Sequence, residues 1–239
     1  MAVKAVRLDT QSFDIAYDIV NPNAKNDLII LHGWGSNKEI MKQAFSQTLS
    51  DFRHIYIDLP GFGKSTNEYV LTVYDYAKII DTFIEKMGAK KFVVMGHSYG
   101  GKVATLLNPE NLVLLSSAGI IEEKSSKVKA KIAVAKTLKA FGLGKITKAF
   151  RSKDVVQMSE HMYATFKNAI AENLEKEFAN FKNKAYIFWG ETDTATSLAS
   201  GQKIHKLIKN SQFKTYEQDH YFFLKNSNDI GNILRDGIL

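Results

Sequence analysis

Short runs of apolar and β-branched residues recur along the 239-residue chain and are separated by segments with helical spacing. A run of four to eight such residues is typical of a buried strand, whereas apolar residues three or four positions apart indicate an amphipathic helix. The runs predict eight strands, at 3–8, 13–20, 28–31, 54–59, 92–95, 112–115, 186–189 and 213–216. Helical segments follow from the third strand on, at 38–50, 72–87, 99–107, 196–209 and 221–239. This alternation predicts an α/β fold with a largely parallel sheet and helices on both faces.

Two features depart from the simple alternation. The first two strands are joined by a short turn, which predicts an antiparallel hairpin. Residues 119–182 show helical periodicity without a strand pattern, between the sixth and seventh strands. The sequence therefore predicts a core domain formed by residues 1–118 and 183–239, with 119–182 inserted as a helical cap over one edge of the sheet. Extra helices packed on a face of the sheet are the alternative.

A candidate nucleophile follows the fifth strand. Residues 96–100 read Gly-His-Ser-Tyr-Gly, which has the form G-x-S-x-G at the junction of a strand and a helix. A serine on such a tight turn adopts unfavourable backbone angles, and flanking glycines relieve the crowding there. The pattern predicts that Ser98 is a catalytic nucleophile.

A serine nucleophile needs a neutral imidazole as its base and a carboxylate that orients the imidazole. In parallel α/β sheets such groups collect at the carboxyl ends of the strands. Asp193 follows the seventh strand and His220 follows the eighth, so they are the predicted acid and base, with Glu122 as the reserve acid. The oxyanion formed by attack needs backbone donors, which we expect from Trp34, in the glycine-rich loop 32–35, and from Tyr99.

Composition excludes several classes of chemistry. Cysteine is absent, which excludes thiol catalysis, disulfides and cysteine-ligated metal. The chain has neither an H-E-x-x-H pattern nor a phosphate- or dinucleotide-binding glycine motif, so we expect no metal and no cofactor. No apolar stretch is long enough to span a membrane and the first residues lack a signal-peptide core, so a cytoplasmic location is expected.

The net charge of +7 is concentrated in the predicted cap. Between residues 121 and 153 ten basic residues stand against two acidic ones, namely Lys124, Lys127, Lys129, Lys131, Lys136, Lys139, Lys145, Lys148, Arg151 and Lys153 against Glu122 and Glu123. Solvated helix faces explain such a run. The alternative is a basic entrance that attracts anionic substrates or an acidic carrier protein. Such a local cluster does not indicate nucleic acid as a partner.

These motifs together resemble the α/β-hydrolase superfamily over nearly the whole chain. The resemblance joins five segments in order, at 32–35 (His-Gly-Trp-Gly), 58–65 (Asp-Leu-Pro-Gly-Phe-Gly-Lys-Ser), 96–101, 190–193 (Gly-Glu-Thr-Asp) and 219–220 (Asp-His). It implies an eight-stranded sheet with a helical cap, and Ser98, Asp193 and His220 as the catalytic triad. The pocket residues expected near these motifs are His32, Gly33, Tyr221 and Phe222, and Arg151, the arginine of the predicted cap, is a further candidate that would hold a ketone or enol.

Two branches of the superfamily fit the chain. It is similar to small carboxylesterases, including the methyl-ester esterases of biotin synthesis that act on a carrier protein, and to hydrolases that cleave C–C bonds in 2-hydroxy-6-oxo-dienoate ring-fission products. The first reading is the prediction, with a small or medium ester as substrate. A dienoate substrate is the alternative, and acyl transfer or a non-catalytic ligand receptor are further ones. A monomer and a homodimer are both compatible with the sequence.

Overall fold

The computed structural model describes residues 1–121 and 158–239. The strands are β1 (Ala2–Leu8), β2 (Gln11–Val20), β3 (Asn26–Leu31), β4 (Phe52–Ile57), β5 (Val93–His97), β6 (Asn111–Leu115), β7 (Lys184–Gly190) and β8 (Ser211–Tyr216). The helices among these residues are α1 (Lys38–Phe45), α2 (Val73–Lys86), α3 (Tyr99–Leu106), α4 (Glu160–Ala171), α5 (Glu175–Asn180), α6 (Leu198–Leu207) and α7 (Phe223–Ile238). All eight predicted strands and all five predicted helices are present.

The eight strands form one sheet in the order β1-β2-β4-β3-β5-β6-β7-β8. β1 pairs antiparallel with β2, and β2 antiparallel with β4, whereas every other neighbouring pair is parallel. The predicted hairpin and the mostly parallel sheet are therefore confirmed. Because strands β3 to β8 run in the same direction, the loops that follow them meet at one edge of the sheet, which is called the carboxyl edge below.

Helices cover both faces, and the strands alternate between two cores. In β5, Val93 and Met95 belong to the core under α1 and α7, while Val94 belongs to the core under α2, α3 and α6. Side chains on a strand alternate between faces, so a buried strand supplies both layers. The continuous apolar run of β5 is typical of a parallel strand covered on both sides.

The first helix is shorter than predicted. The sequence predicts it to residue 50, but α1 ends at Phe45. Beyond it, Thr48 donates to the Phe45 carbonyl and Leu49 adopts a positive φ of 53°. Leu49 is 1% exposed. The chain thus leaves the helix to bury Leu49, which is a gain from tertiary packing that helical spacing does not reveal.

Helix α4, in the second half of the predicted insertion, is bound along the segment 67–73. Thr165 accepts a hydrogen bond from the Leu71 N–H at 3.0 Å, and Asn168 donates to the Leu71 carbonyl at 3.0 Å. Glu172, just after the helix, accepts from the Val73 N–H at 2.9 Å. These bonds hold α4 beside the carboxyl edge. The division of the chain into core and cap stays a prediction, because residues 122–157 lie outside the described part.

Candidate active site

Ser98 stands on a strained turn between β5 and α3. Its backbone angles are φ 51° and ψ −115°, in a region that costs a non-glycine residue about 1–3 kcal/mol. The turn is tight: a Cβ on Gly96 would overlap the Gly100 carbonyl, and a Cβ on Gly100 would lie 2.5 Å from the His32 carbonyl oxygen. The two glycines are therefore required by close backbone approach. The Ser98 N–H donates to the Leu115 carbonyl at 3.0 Å, which fixes the turn to the next strand.

Asp193 and His220 meet at the same edge. His220 Nδ1 lies 2.7 Å from Asp193 Oδ2, although 27 residues separate them. Asp193 Oδ1 accepts from the N–H groups of Ala195 and Thr196, and Asp193 Oδ2 accepts from the Thr196 hydroxyl at 3.0 Å. The carboxylate is thus held by several donors at once, and its orientation is fixed.

These contacts keep Asp193 ionised. Burial acts to raise the pKa of Asp193, but hydrogen bonds from His220, Thr196 and Ser116 outweigh it and hold the pKa at about 2. An ionised Asp193 only accepts hydrogen bonds, so His220 carries its proton on Nδ1 and donates it to the carboxylate. Nε2 is then the acceptor nitrogen of the ring. This is the tautomer that a general base needs.

The glycine-rich loop after β3 lies against the serine. A Cβ built on Gly33 would stand 3.1 Å from Ser98 Cβ, so the loop passes directly over the turn. Ser36 closes the loop by donating to the Gly33 carbonyl at 3.2 Å. Tyr99 is the first residue of α3, and the N–H of a first helical residue has no intrahelical acceptor. Gly33, the neighbour of Trp34, therefore adjoins Ser98 from the loop, and Tyr99 follows Ser98 in the chain.

Aromatic rings form a wall beside this loop. The Trp34 ring contacts Tyr99 at 5.3 Å, Phe62 at 4.9 Å and Phe166 at 5.4 Å between centroids. Phe166 comes from α4, so the second half of the predicted insertion contributes to the wall. Sequence reasoning missed Phe62 and Phe166. Phe62 lies in the 58–65 motif, so the sequence could have indicated it. Nothing in the helical pattern distinguishes Phe166.

A second polar cluster lies on the other side of the loop, formed by His32, Lys38, Asp58 and Ser65 and called the closed cluster below. Asp58 accepts from the Lys38 N–H at 2.7 Å and from the Lys38 ammonium at 3.2 Å. His32 donates from Nδ1 to the Gly33 carbonyl, and its Nε2 accepts from the Leu59 N–H at 3.0 Å. Burial lowers the pKa of His32 to about 4. Its ring holds the glycine-rich loop from behind.

The predicted pocket residues differ in their exposure and in their distance from the candidate site. Gly33 adjoins Ser98, and Tyr221 is 40% exposed with its ring 5.5 Å from that of His220. His32 is fully buried with both ring nitrogens bonded inside the protein, which differs from the predicted contact with substrate. Phe222 is 1% exposed and stacks on Tyr216 in the core under α7, which also differs from the predicted pocket wall. Arg151 and the reserve acid Glu122 lie outside the described residues.

Among residues 1–121 and 158–239, no group of three or more His, Asp or Glu side chains could hold a metal ion. No helix in the same ranges is long and apolar enough to cross a membrane.

The chain is similar to known proteins in sequence and in fold. A family model described as the alpha/beta hydrolase fold matches residues 27–111. Est816, described as an N-acyl homoserine lactone degrading enzyme, aligns over 98% of this chain and 100% of its own with a TM-score of 0.75 and 18% identity. An esterase from Exiguobacterium antarcticum aligns over 98% of both chains with a TM-score of 0.73 and 21% identity. The described residues of the chain therefore have the α/β-hydrolase fold.

Curated sequences match this chain in two ways. A pimeloyl-acyl-carrier protein methyl ester esterase from Proteus mirabilis is 35% identical over 91 residues, which are 37% of this chain and 34% of that protein. An uncharacterized hydrolase from Bacillus subtilis, YugF, is 22% identical over 236 residues, 86% of each chain. The match thus spans about a third of the length of the curated esterase.

Proposed function

We propose that this α/β hydrolase cleaves carboxylic esters with Ser98 as nucleophile, His220 as general base and Asp193 as the acid that orients it. The observation that carries the proposal is the 2.7 Å bond between Asp193 and His220 at the edge where Ser98 occupies a strained turn. Strain of this kind persists where the surrounding structure maintains it, and it is concentrated at reactive sites. The esterase names of the relatives agree with this reaction class.

The reaction proceeds in two halves. The Ser98 hydroxyl oxygen attacks the ester carbonyl carbon while its proton moves to His220 Nε2, and the N–H groups of Trp34 and Tyr99 stabilise the oxyanion. The tetrahedral intermediate collapses, the C–O bond to the alcohol breaks, and His220 returns the proton to the leaving alcohol. Water then attacks the acyl-enzyme with the same base, which releases the acid and restores Ser98.

Aromatic rings beside the proposed nucleophile favour an apolar acyl or alcohol group. Trp34, Phe62 and Phe166 present aromatic surface beside the glycine-rich loop. Such walls suit small or medium hydrophobic groups. No relative reported above carries the name of a C–C hydrolase, so ester cleavage is proposed ahead of dienoate cleavage.

Replacing the nucleophile tests this proposal. We expect Ser98→Ala to lower hydrolysis of short p-nitrophenyl esters by at least about 10³-fold, because no other group would form the acyl-enzyme. A fluorophosphonate probe should label the wild-type protein and not the variant. The matched control is Ser50→Ala, at an exposed serine before β4, which should keep full activity. Undiminished turnover by Ser98→Ala would refute the assignment, and a dienoate cleaved faster than any ester would change the substrate class.

We further infer that the natural ester is presented by an acidic acyl carrier protein. The support is the name of the matched esterases and the ten basic residues between 124 and 153, which lie outside the described part of the chain. We expect kcat/KM for a methyl ester on the carrier to exceed that of the same acyl group on N-acetylcysteamine by about tenfold or more at low salt. The advantage should shrink as salt rises, because the attraction is screened. Equal values for both substrates would contradict the inference.

A further inference from the structure

His97, the residue before the proposed nucleophile, has no part in the reaction described above. It is the last residue of β5 and is 1% exposed. Side chains alternate along a strand, so His97 shares the face of Met95, toward the core under α7. A histidine that is buried here must find its contacts inside the protein.

The His97 ring is fixed to the general base. His97 Nε2 lies 3.1 Å from the backbone carbonyl oxygen of His220, so its N–H donates to that carbonyl. The two imidazole rings are 4.5 Å apart between centroids and inclined by 50°. Phe223 contacts the same ring at 4.8 Å. His97 thus supports both the backbone and the side chain of His220.

The other edge of the ring faces the glycine-rich loop. A Cβ built on Gly33 would lie 3.0 Å from His97 Nδ1. Within the described residues, Nδ1 is buried and has no hydrogen-bond partner. One side chain therefore touches the loop of the expected oxyanion donors and the proposed base, while Ser98 is its neighbour in the chain.

The His97 ring is held in its neutral form. Burial first, and the nearby His220 second, lower the pKa of His97 to about 3. A neutral imidazole carries a single proton, and the contact with the His220 carbonyl places that proton on Nε2. His97 stays an uncharged donor while His220 gains and loses its proton.

We propose that His97 is a positioning residue that sets the place of the His220 imidazole relative to Ser98, through the hydrogen bond to the His220 carbonyl and the contact between the two rings. The inference rests on the proposed function, since it concerns the base of that reaction. A misplacement of about 1 Å at a reacting group costs about 10²-fold in rate. The effect should therefore appear in the chemical step more than in substrate binding.

Two variants separate the two contacts. His97→Phe keeps a ring and removes the donor, whereas His97→Asn keeps a donor and removes the ring. We expect each to lower both kcat on a short p-nitrophenyl ester and the rate of fluorophosphonate labelling by about 10- to 100-fold, with KM changed by less than about threefold. Met95→Leu, two residues earlier on the same face of β5, is the matched control and should label at the wild-type rate. Circular dichroism melting identifies folded variants.

A measurement on the wild-type protein covers the case of a variant that does not fold. Nitrogen-15 chemical shifts of the His97 ring should report a neutral, Nε2-protonated imidazole throughout about pH 5 to 9. A folded His97 variant that labels at the wild-type rate, or a wild-type His97 ring protonated on Nδ1, would overturn the inference. Wild-type protein that fails to label at all would refute the proposed function instead, so the two failures are distinguishable.

Discussion

Two polar clusters flank Ser98. Both contain histidine and aspartate, but these residues are bonded differently in the two clusters. The closed cluster pairs His32 with backbone groups on both ring nitrogens and pairs Asp58 with a buried lysine. The second cluster is formed by His97, Asp193, Thr196 and His220 and is called the open cluster. Asp193 accepts several hydrogen bonds there, as Asp58 does in the closed cluster. The His220 side chain, however, is 15% exposed, and only its Nδ1 contacts the carboxylate. Both lie at the carboxyl edge of one sheet.

The difference shows what makes a histidine available for proton transfer. A ring whose two nitrogens are both bound within the protein, as in His32, cannot take a proton without breaking a bond, and burial disfavours its charged form. His220 is oriented through Nδ1 and directs its other nitrogen toward a reacting group in the proposed mechanism. One cluster therefore stabilises a loop, and the other is suited to catalysis.

Matched amide substitutions should separate these roles. Asp193→Asn keeps the shape of the side chain but favours the wrong tautomer of His220, so we expect kcat on p-nitrophenyl esters to fall by about 10³- to 10⁴-fold. Stability should change little, since the amide oxygen can still accept from the N–H groups of Ala195 and Thr196. Steady-state kinetics and urea denaturation measure the two quantities.

Asp58→Asn is the counterpart in the closed cluster. It leaves the buried Lys38 ammonium without its buried carboxylate, so we expect a loss of about 2–4 kcal/mol in unfolding free energy. The kcat of the folded fraction should stay within about tenfold of wild type. A larger catalytic loss in Asp58→Asn than in Asp193→Asn would invalidate the comparison.

Acid should destabilise the protein through its buried histidines. The pKa of His32 is lowered to about 4 and that of His97 to about 3, from 6.5 in the unfolded chain. The folded state therefore binds these protons less tightly, and the stability from the neutral rings is present above pH 6.5 and lost as pH falls below it. Between pH 7 and 5 each should cost about 2 kcal/mol of unfolding free energy.

Urea denaturation at the two pH values measures this loss. His32→Gln should be less stable than wild type at pH 7 and should depend less on pH by about 2 kcal/mol, because one titrating group is removed. An equal unfolding free energy of wild type at pH 7 and pH 5 would show that the buried rings do not titrate as argued.

The smallest expected effects come from two hydroxyl groups. Thr196→Val removes a donor to Asp193 and to the Ser116 carbonyl, so we expect kcat to fall about 3- to 10-fold and stability to change by less than about 1 kcal/mol. Ser65→Ala removes contacts to the Ala16 N–H and the Asp58 carbonyl, so we expect a loss of about 1–2 kcal/mol with kcat unchanged. The reverse assignment of effects would contradict the distinction between the clusters.

Much of the fold follows from local patterns. Each strand was located within a few residues, since a run of apolar residues needs cover on both faces and short-range spacing separates strands from helices. The predicted start of α2 agrees with the structure within one residue, because the helix begins at a local capping box between Thr72 and Asp75. The end of α1 was missed, since burial of Leu49 depends on contacts distant in sequence.

The candidate site was predicted in part. Asp193 and His220 were found because residues after parallel strands share one edge, and the structure places them within hydrogen-bonding distance. Phe222 was misplaced because the step from β8 to α7 turns its ring into the core while Tyr221 points outward, and adjacent aromatic residues give no signal for that choice. The contacts of His97 were not foreseen either.

By itself the sequence determined the order of the elements, the strained serine turn and the candidate acid and base. Those features depend on the spacing of apolar residues, on the positions of glycines and on the common direction of parallel strands. Local sequence patterns indicate all three. Only the tertiary structure decided which histidine is enclosed, which aromatic rings reach the wall and what supports His220. These outcomes depend on burial and on hydrogen bonds between residues far apart in sequence, so the same residue types serve as scaffold in one place and as candidate catalytic groups in another.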